Sequence, residues 1–252
     1  MHIAVTGATG FVGRRLTEQL EGAGHRVLRL SRGGRKEGER KWDPMAGAAD
    51  LTAEPAIDGI VHLAGEPVSQ RWTGEVKQRI RDSRVVGTRN LVEGIAKLAR
   101  RPKVLVSASA VGLYGDRGDE WLPETATPGS GFLADVCREW EAEADRAEGL
   151  GVRVVKVRIG LVLGREGGAL KAMLPAFRLG AGARLGDGKQ WMSWIHVDDL
   201  TGMIRFALEK EDARGAWNGT APRPETNAEF TRKLAAAVHR PALFAAPRWV
   251  IE

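Results

Sequence analysis

A glycine-rich segment near the start of the chain constrains its fold more than any other feature. Residues 2–6 form an apolar run typical of a buried strand, Gly7-Ala-Thr-Gly10-Phe-Val-Gly13 follows at once, and residues 11–21 show helical periodicity. A strand, a G-x-x-G-x-x-G turn and a helix in this order are typical of dinucleotide-binding proteins. One glycine permits the tight turn, one lets a pyrophosphate approach the backbone, and one lets helix and strand pack closely. The segment therefore predicts a phosphate loop.

Strand and helix patterns alternate through the first two thirds of the chain. Apolar runs without polar alternation cover residues 2–6, 26–30, 59–63, 103–107 and 153–157, and such strands are buried on both faces. Helical periodicity covers residues 11–21, 75–100 and 132–148. This alternation predicts an α/β fold in which a doubly wound parallel sheet of the Rossmann type is covered by helices.

The pattern changes after residue 164, where short pieces are separated by glycine-rich turns. A further helix is predicted near residues 198–209. We therefore predict an NADP(H)-binding Rossmann domain over residues 1–164. Residues 165–252 should form a smaller, partly interleaved substrate lobe, whose helix at 198–210 packs on the Rossmann domain.

The end of the second strand predicts which dinucleotide is bound. A site selective for NAD places an Asp or Glu there, roughly 20 residues after the glycines, to accept a hydrogen bond from the ribose 2′-OH. The strand here ends Leu30-Ser31-Arg32 without a carboxylate, and Arg35 and Lys36 follow. This arrangement favours the 2′-phosphate of NADP(H), with Ser31, Arg32 and Arg35 as its contacts. The alternative is a basic loop that only faces solvent.

Composition argues against several other classes. The net charge of +6 is mostly dispersed, and the tryptophans do not interleave with the basic runs as in a nucleic-acid surface. The single cysteine, Cys137, cannot form an internal disulfide, and the five histidines have no metal-ligand spacing. No run approaches the roughly 18 apolar residues of a membrane span, and Met1 leads directly into a strand. We predict a cytoplasmic protein without nucleic-acid, membrane or metal partners.

Five further segments carry a resemblance to a known family. They are Val61-His-Leu-Ala-Gly-Glu-Pro67, Asp82-Ser-Arg-Val-Val-Gly-Thr-Arg-Asn-Leu91, Ser107-Ala-Ser-Ala-Val-Gly-Leu-Tyr-Gly115, Arg158-Ile-Gly-Leu-Val-Leu-Gly164 and Trp194-Ile-His-Val-Asp-Asp199. Together with the glycine loop they resemble the extended short-chain dehydrogenases/reductases, and more closely their atypical branch similar to sugar-nucleotide epimerases, in the NAD-dependent epimerase/dehydratase family. The resemblance covers nearly the whole chain. Because members of this family continue further, we expect the protein to extend beyond residue 252.

The resemblance implies where the cofactor and the substrate lie. The residues that it assigns to the cofactor are Gly7, Thr9, Gly10, Phe11, Val12, Gly13, Leu63, Ala64, Gly65, Ser107 and Ala108. The loop at 186–193 resembles the family's loop over the substrate, where a sugar ring could stack on Trp191. The resemblance also implies a small-molecule substrate and a homodimer paired through the helices at 75–100 and 132–148.

The helix after the serine-bearing strand departs from the family. Ordinary members carry Y-x-x-x-K there, in which the lysine assists proton exchange by the tyrosine. The helix here reads Gly131-Phe-Leu-Ala-Asp-Val-Cys-Arg-Glu-Trp140, so that the pairs 132/136 and 133/137 hold Phe with Val and Leu with Cys. Arg84 takes the place of the asparagine that the family carries on the preceding helix. The usual proton relay is therefore not transferred to this chain.

Three residues remain as catalytic candidates. Ser109 matches the family serine and would bind a substrate oxygen, or it satisfies backbone groups. Tyr114, the only tyrosine, is flanked by glycines that should leave its ring accessible for proton donation, or it packs in a turn. Glu66 would act as a base or hold a ribose hydroxyl, or it is a solvated carboxylate. Cys137 and His196 are predicted to be structural, with His196 beginning the helix at 198.

Two classes of function fit these patterns. One is an enzyme that uses NADP(H) to oxidise, reduce or epimerise a hydroxyl- or carbonyl-bearing substrate such as a nucleotide sugar. The other is a non-catalytic protein that senses NADPH against NADP⁺, since a fold does not fix a function. The serine strand, Tyr114 and the substrate loop favour the enzyme.

Overall fold

A seven-stranded, entirely parallel sheet lies at the centre of the computed structural model, which describes residues 1–34, 38–52, 54, 56–242 and 244–246. From one edge to the other its strands are β11 (Gly215–Gly219), β6 (Arg153–Ile159), β5 (Val104–Ala110), β4 (Gly59–His62), β1 (His2–Thr6), β2 (Arg26–Ser31) and β3 (Glu39–Lys41). The order reverses on the two sides of β1. A ligand crevice is expected at such a switch point, at the carboxyl ends of the strands.

The predicted α/β fold of the Rossmann type is confirmed. All five residues of β1 are buried, as expected of a strand with helices on both faces. β5 and β6 run to Ala110 and Ile159, beyond their predicted ends at 107 and 157. The added residues include Ser109 and Arg158, polar side chains that are themselves buried.

Helices cover both faces of the sheet. On one face α1 (Phe11–Gly22) and α5 (Val197–Glu209) pack on a core that includes Leu16 and Ile204. On the other face α2 (Gly74–Ala96) and α3 (Phe132–Asp145) cover a second core that includes Leu91. Among the described residues, no helix combines the length and apolar character that crossing a membrane requires.

The remaining elements are small. They are β7 (Leu161–Gly164), α4 (Gly168–Arg178), β8 (Ala183–Leu185), β9 (Trp191–Met192), β10 (Trp194–His196), β12 (Glu225–Thr226), α6 (Asn227–Ala237) and β13 (Phe244–Ala246). The six short strands pair two by two, as β10 with β7, β12 with β9 and β13 with β8. α5 and β11 come from the chain after residue 164 yet belong to the central sheet and its cover, so the sheet does not end at that residue.

His196 caps α5: its Nδ1 accepts a hydrogen bond from the Asp198 N–H at 3.2 Å. The prediction that this histidine begins the helix is confirmed. The side chain of Cys137 is buried on α3, as predicted.

Candidate cofactor and catalytic site

The turn between β1 and α1 has no room for side chains at two of its three glycines. Gly7 has a φ of +67°, and a Cβ there would lie 2.8 Å from the Leu63 carbonyl carbon. A Cβ on Gly13 would lie 2.2 Å from the Gly7 carbonyl oxygen. These glycines thus permit the turn, the close approach of the loop after β4, and the packing of α1 on the turn.

Gly10 differs from the other two glycines because the fold itself tolerates a side chain there. Its backbone is extended with φ −74°, its surroundings are open, and the nearest atom to an added Cβ would be the Gly7 carbonyl oxygen at 3.2 Å. It caps α1 without a side chain, and the first turn of α1 has no acidic residue. Helix N–H groups at an exposed, uncompensated N-terminus suit an anion. The loop therefore fits a dinucleotide pyrophosphate.

A buried hydrogen-bond network fixes the backbone that faces this turn. Thr6 Oγ1 accepts hydrogen bonds from the N–H groups of Leu63 and Ala64, both at 3.1 Å, and contacts His62 Nδ1 at 2.7 Å. Its single proton must therefore go to His62 Nδ1, which leaves His62 Nε2 to donate to Thr88 Oγ1 at 3.0 Å. Burial lowers the pKa of His62 to about 4, so the ring is neutral.

The carboxyl end of β2 presents a free basic side chain. Arg32 directly follows the strand, is exposed, and forms no hydrogen bond or ion pair with any described residue. Ser31, the last residue of the strand, accepts a hydrogen bond from the Trp42 N–H at 2.9 Å through its carbonyl oxygen. The third predicted contact of the 2′-phosphate, Arg35, lies outside the described residues.

The residues assigned to the cofactor by resemblance lie at the carboxyl edge of neighbouring strands. β4 ends at His62, directly before Leu63, Ala64 and Gly65, and β5 contains the buried Ser107 and Ala108. β4 pairs with β1 on one side and with β5 on the other. The glycine turn and these two segments therefore follow one another along the crevice.

Ser109 and Tyr114 belong to one buried polar network. Ser109 Oγ donates to Glu141 Oε1 at 2.6 Å, and Tyr114 Oη donates to Asn218 Oδ1 at 2.6 Å. Arg158 joins the two halves, because it contacts both Glu141 oxygens at 2.9 and 3.0 Å and donates from Nη1 to Tyr114 Oη at 2.9 Å. Burial opposes the charge on Arg158, but the hydrogen bonds to Glu141 and Tyr114 outweigh it and raise the pKa of the guanidinium.

The expectation that glycines leave the Tyr114 ring accessible is wrong. The side chain is 3% exposed, and Gly129 packs on the turn so closely that a Cβ there would lie 2.1 Å from the Tyr114 carbonyl oxygen. The close packing of Gly129 therefore helps to bury the turn that carries Tyr114. Ser109 is 2% exposed, and in both hydroxyls the proton is donated to a protein acceptor.

Sequence analysis did not find Glu141, Arg158 or Asn218. A signal existed for Glu141, which lies on the buried face of α3 in line with Ala134 and Cys137. An acidic residue on an apolar helix face implies a buried partner. Arg158 begins one of the segments that carry the resemblance, but nothing in that segment indicated a buried ion pair. Asn218 stands in β11 without a periodic context that could have marked it.

Glu66, the third catalytic candidate, lies apart from this network. Its carboxylate is partly exposed, 3.3 Å from Gln70 Nε2 and 3.8 Å from Arg79 Nε. Its N–H donates to Ser83 Oγ at 3.0 Å. Within the described residues, none of its hydrogen bonds goes to Ser109 or Tyr114.

Apolar side chains occupy the positions where the family carries tyrosine and lysine. Leu133 packs on the turn after β5, where a Cβ on Gly112 would lie 3.4 Å from the Leu133 Cβ. Burial raises the pKa of the Cys137 thiol to about 11, against smaller opposing effects of the Ala110 backbone and the Arg84 cation. A protonated, buried thiol is a poor nucleophile.

The small lobe contacts the loop that follows Tyr114. Trp191 is 47% exposed, and its Nε1 donates to Asp119 Oδ1 at 2.6 Å. The loop at 186–193 is thereby tied to the loop at 116–131. In the part of the chain that the structure describes, no cluster of His, Cys, Asp and Glu could hold a metal ion.

Comparisons with known proteins agree with this geometry. The model of the NAD-dependent epimerase/dehydratase family matches residues 3–218. The Arabidopsis thaliana epimerase family protein SDR39U1 homolog, named as chloroplastic, is 40% identical over all of this chain and 75% of its own length.

Two solved structures are similar over nearly the whole chain. The human epimerase family protein SDR39U1 (isoform 2) with NADPH is 37% identical, with a TM-score of 0.91 over 99% of this chain and 84% of that one. The nucleoside-diphosphate sugar epimerase from Corynebacterium glutamicum is 40% identical, with a TM-score of 0.84 over 97% of this chain and 53% of that one.

Proposed function

Because the chain belongs to the NAD-dependent epimerase/dehydratase family, we propose that it is an NADP(H)-dependent oxidoreductase or epimerase acting on a hydroxyl or carbonyl group of a small molecule, such as a nucleotide sugar. The family is described as NAD-dependent and the human relative was solved with NADPH, so both use a nicotinamide cofactor. The observation that supports NADP(H) over NAD is the exposed Arg32 at the end of β2, which pairs with none of the described residues and takes the place where NAD-selective sites carry a carboxylate.

Different residues of the chain would bind the cofactor and orient the substrate. The glycine turn and the N-terminus of α1 hold the pyrophosphate, Arg32 holds the 2′-phosphate, and the backbone at 63–65 faces the cofactor. When bound, the cofactor accepts or supplies a hydride. Ser109 would orient a substrate oxygen. Because its proton goes to Glu141, it would do so as a hydrogen-bond acceptor, towards a substrate hydroxyl.

Three groups are proposed for moving the substrate proton: Tyr114, Glu66 and a bound water. Of the two side chains, Glu66 has the more accessible atoms, whereas Tyr114 would have to leave Asn218 and Arg158. The variant Tyr114→Phe tests whether Tyr114 transfers the proton. A fall in kcat of about 10²-fold or more with unchanged NADPH affinity would support proton transfer by Tyr114. If the variant turns over at the wild-type rate, Glu66 or a bound water remains as the group that transfers the proton.

The binding experiment compares NADPH with NADH by titration calorimetry. The wild-type protein should bind NADPH more tightly, and Arg32→Ala should weaken NADPH by about tenfold or more while barely changing NADH. Arg26→Ala, an exposed arginine at the opposite end of the same strand, is the matched control and should change neither. Equal losses for both cofactors in Arg32→Ala would contradict a 2′-phosphate contact.

The buried hydroxyls of Ser109 and Tyr114 favour a second candidate, a non-catalytic NADPH sensor. A carbonyl and nucleotide-sugar panel with NADPH distinguishes the two. Turnover of any member supports the enzyme. Cofactor binding without turnover, together with a partner affinity that differs between NADPH and NADP⁺, supports the sensor. The cytoplasmic location, the homodimer and the absence of nucleic-acid partners stay predictions.

A further inference from the structure

Arg84 is a half-buried cation that packs against the cofactor-facing loop. It stands on α2, and its guanidinium carbon lies 3.3 Å from the position that a Cβ on Gly65 would take. On another side the same carbon is 5.3 Å from the centre of the Trp140 ring. The guanidinium thus packs closely on Gly65, and Trp140 supports the cation through its ring face.

The guanidinium of Arg84 has unused hydrogen-bond donors and no acidic partner. Nη1 donates to the carbonyl oxygens of Glu66 at 3.0 Å and Ile80 at 3.1 Å. Nε and Nη2 have no hydrogen-bond partner, and Arg84 forms no ion pair, with any residue that the structure describes. Neither nitrogen is fully buried.

Holding this charge without an ion pair costs free energy, because burial lowers the pKa of the Arg84 guanidinium. The Glu66 carboxylate offsets part of that effect but makes its contacts with Gln70 and Arg79 instead. A purely structural role would need only the two carbonyl contacts, which an uncharged amide could also make. The remaining donors suit an anion that arrives from outside the chain.

The position of Arg84 along the crevice indicates which anion would bind to it. A dinucleotide with its pyrophosphate at Gly10 extends from β1 towards β2 with one nucleotide and towards β4 and β5 with the other. Arg32 stands at the β2 end, where the adenosine 2′-phosphate is expected. Arg84 lies on the opposite side, between Gly65 after β4 and Cys137, whose thiol is close to the Ala110 backbone at the end of β5.

We propose that Arg84 binds the phosphate of the nicotinamide nucleotide half of the cofactor, through the Nε and Nη2 donors that the protein leaves free. This inference rests on the proposed NADP(H) binding. It makes Arg32 and Arg84 two separate cationic contacts, one for each half of the dinucleotide. It also gives a reason for the arginine at the position where the resemblance leads us to expect the asparagine of ordinary family members.

Three ligands of increasing length test the assignment by calorimetry. Adenosine 2′,5′-bisphosphate ends at the adenosine-side phosphate, 2′-phospho-ADP-ribose adds the second phosphate and a ribose, and NADPH adds the nicotinamide. Arg84→Gln removes the charge and leaves a shorter, uncharged hydrogen-bond donor. It should weaken NADPH and 2′-phospho-ADP-ribose by about tenfold or more, and leave adenosine 2′,5′-bisphosphate unchanged. Arg84→Lys, which retains a cation, should lose less affinity for these two ligands.

Arg79→Gln is the matched control, because Arg79 is on the same helix and faces the same loop but is exposed; it should bind all three ligands as the wild type does. Equal losses for all three ligands in Arg84→Gln would mean that the loop has shifted, and would overturn the assignment. So would a loss confined to NADPH, which would point to the nicotinamide ring. If Arg84→Gln binds NADPH normally, only this inference fails. If the wild type does not bind NADPH, the proposed function fails with it.

Discussion

At Gly10 the backbone is extended and its surroundings are open, so a side chain there is compatible with the fold. The same change at Gly13 would drive a Cβ into the Gly7 carbonyl oxygen. We expect Gly10→Val to fold, with a loss of about 1–2 kcal/mol in the free energy of unfolding because valine is a poor helix cap, and to lose NADPH binding because the branched side chain takes the space of the pyrophosphate. Gly13→Val should fail to fold. Urea denaturation and calorimetry check both, and a Gly10→Val protein that binds NADPH normally would contradict the phosphate loop.

His62 makes the free energy of unfolding depend on pH. Its ring accepts the Thr6 proton, so a protonated ring would place two donors face to face. Burial lowers its pKa in the folded state to about 4, below the ordinary 6.5. The unfolded state therefore binds the proton first. The contribution of neutral His62 is fully present above pH 6.5 and is lost as the pH falls to about 4, a loss of about 3 kcal/mol.

The measurement is urea denaturation of the wild type and His62→Gln between pH 7 and pH 4. Carboxylates also titrate in this range. The effect of His62 is therefore read from the difference between the two proteins in how their unfolding free energies change with pH. His62→Gln should lose less stability than the wild type on acidification. Identical slopes in the wild type and His62→Gln would exclude His62 as the origin.

Among the elements, α1 is coupled to the small lobe through Phe11. The ring of Phe11 fills a space bounded by Gly164, Gly167 and Gly168 at the β7–α4 turn. A Cβ at Gly167 would come 2.4 Å from Phe11 Cδ2, and one at Gly164 would come 2.5 Å from Phe11 Cζ. The first residue of the phosphate-binding helix is therefore held by the segment after β6.

Gly167→Ala should weaken cofactor binding without touching the cofactor. The backbone of Gly167 is extended, with φ −168°, so alanine is tolerated there and the only conflict is with the Phe11 ring. We expect a loss of about 1–3 kcal/mol in unfolding free energy and weaker NADPH binding, because α1 must shift. Gly202→Ala on α5, with no atom within 4 Å of its new Cβ, should stabilise the protein by up to about 1 kcal/mol and leave binding unchanged. Unchanged NADPH affinity in Gly167→Ala would show that Phe11 does not position the loop.

The elements that sequence analysis predicted are those buried on both faces or strongly amphipathic. β1 was predicted residue for residue because its centre, Ile3-Ala-Val5, is apolar and all five of its residues are buried. β3, with the sequence Glu-Arg-Lys, was missed because it is an edge strand that pairs only with β2. β11 was missed because Gly-Ala-Trp-Asn-Gly is bounded by glycines and is half-buried. α4 has Pro175 inside it, which interrupts the helical signal.

Across the whole molecule, the glycine turn was easier to predict than the buried network around Ser109 and Tyr114. The glycine turn depends on local backbone geometry, which a short segment specifies. The network around Arg158 depends on pairings between residues far apart in the chain, such as Tyr114 with Asn218 and Ser109 with Glu141. No single segment specifies them. Ser109 could be named from the resemblance, and Tyr114 as the only tyrosine near it, but neither choice identified their partners.

This network also connects parts of the molecule that lie far apart in the sequence. Arg158 on β6 bonds Glu141 on α3, Tyr114 after β5 and the Glu124 carbonyl oxygen at 2.8 Å in the loop at 116–131. Asn218 on β11 donates to the Leu122 carbonyl oxygen at 3.0 Å in the same loop. The loop therefore rests on two outer strands of the sheet through buried polar contacts.

Arg158→Met tests whether the buried ion pair holds this region together. The variant leaves the Glu141 carboxylate buried without its cation, and we expect a loss of about 3–5 kcal/mol in unfolding free energy, measured by urea denaturation. Adding Glu141→Leu removes the stranded charge, so the double variant should recover at least about 1 kcal/mol of that loss. Arg138→Met, which breaks an exposed pair with Asp135, should leave stability nearly unchanged. If Arg158→Met and the double variant are equally destabilised, the carboxylate is not the source of the cost. The contacts of Arg158 with Tyr114 and the loop at 116–131 would then account for the whole effect.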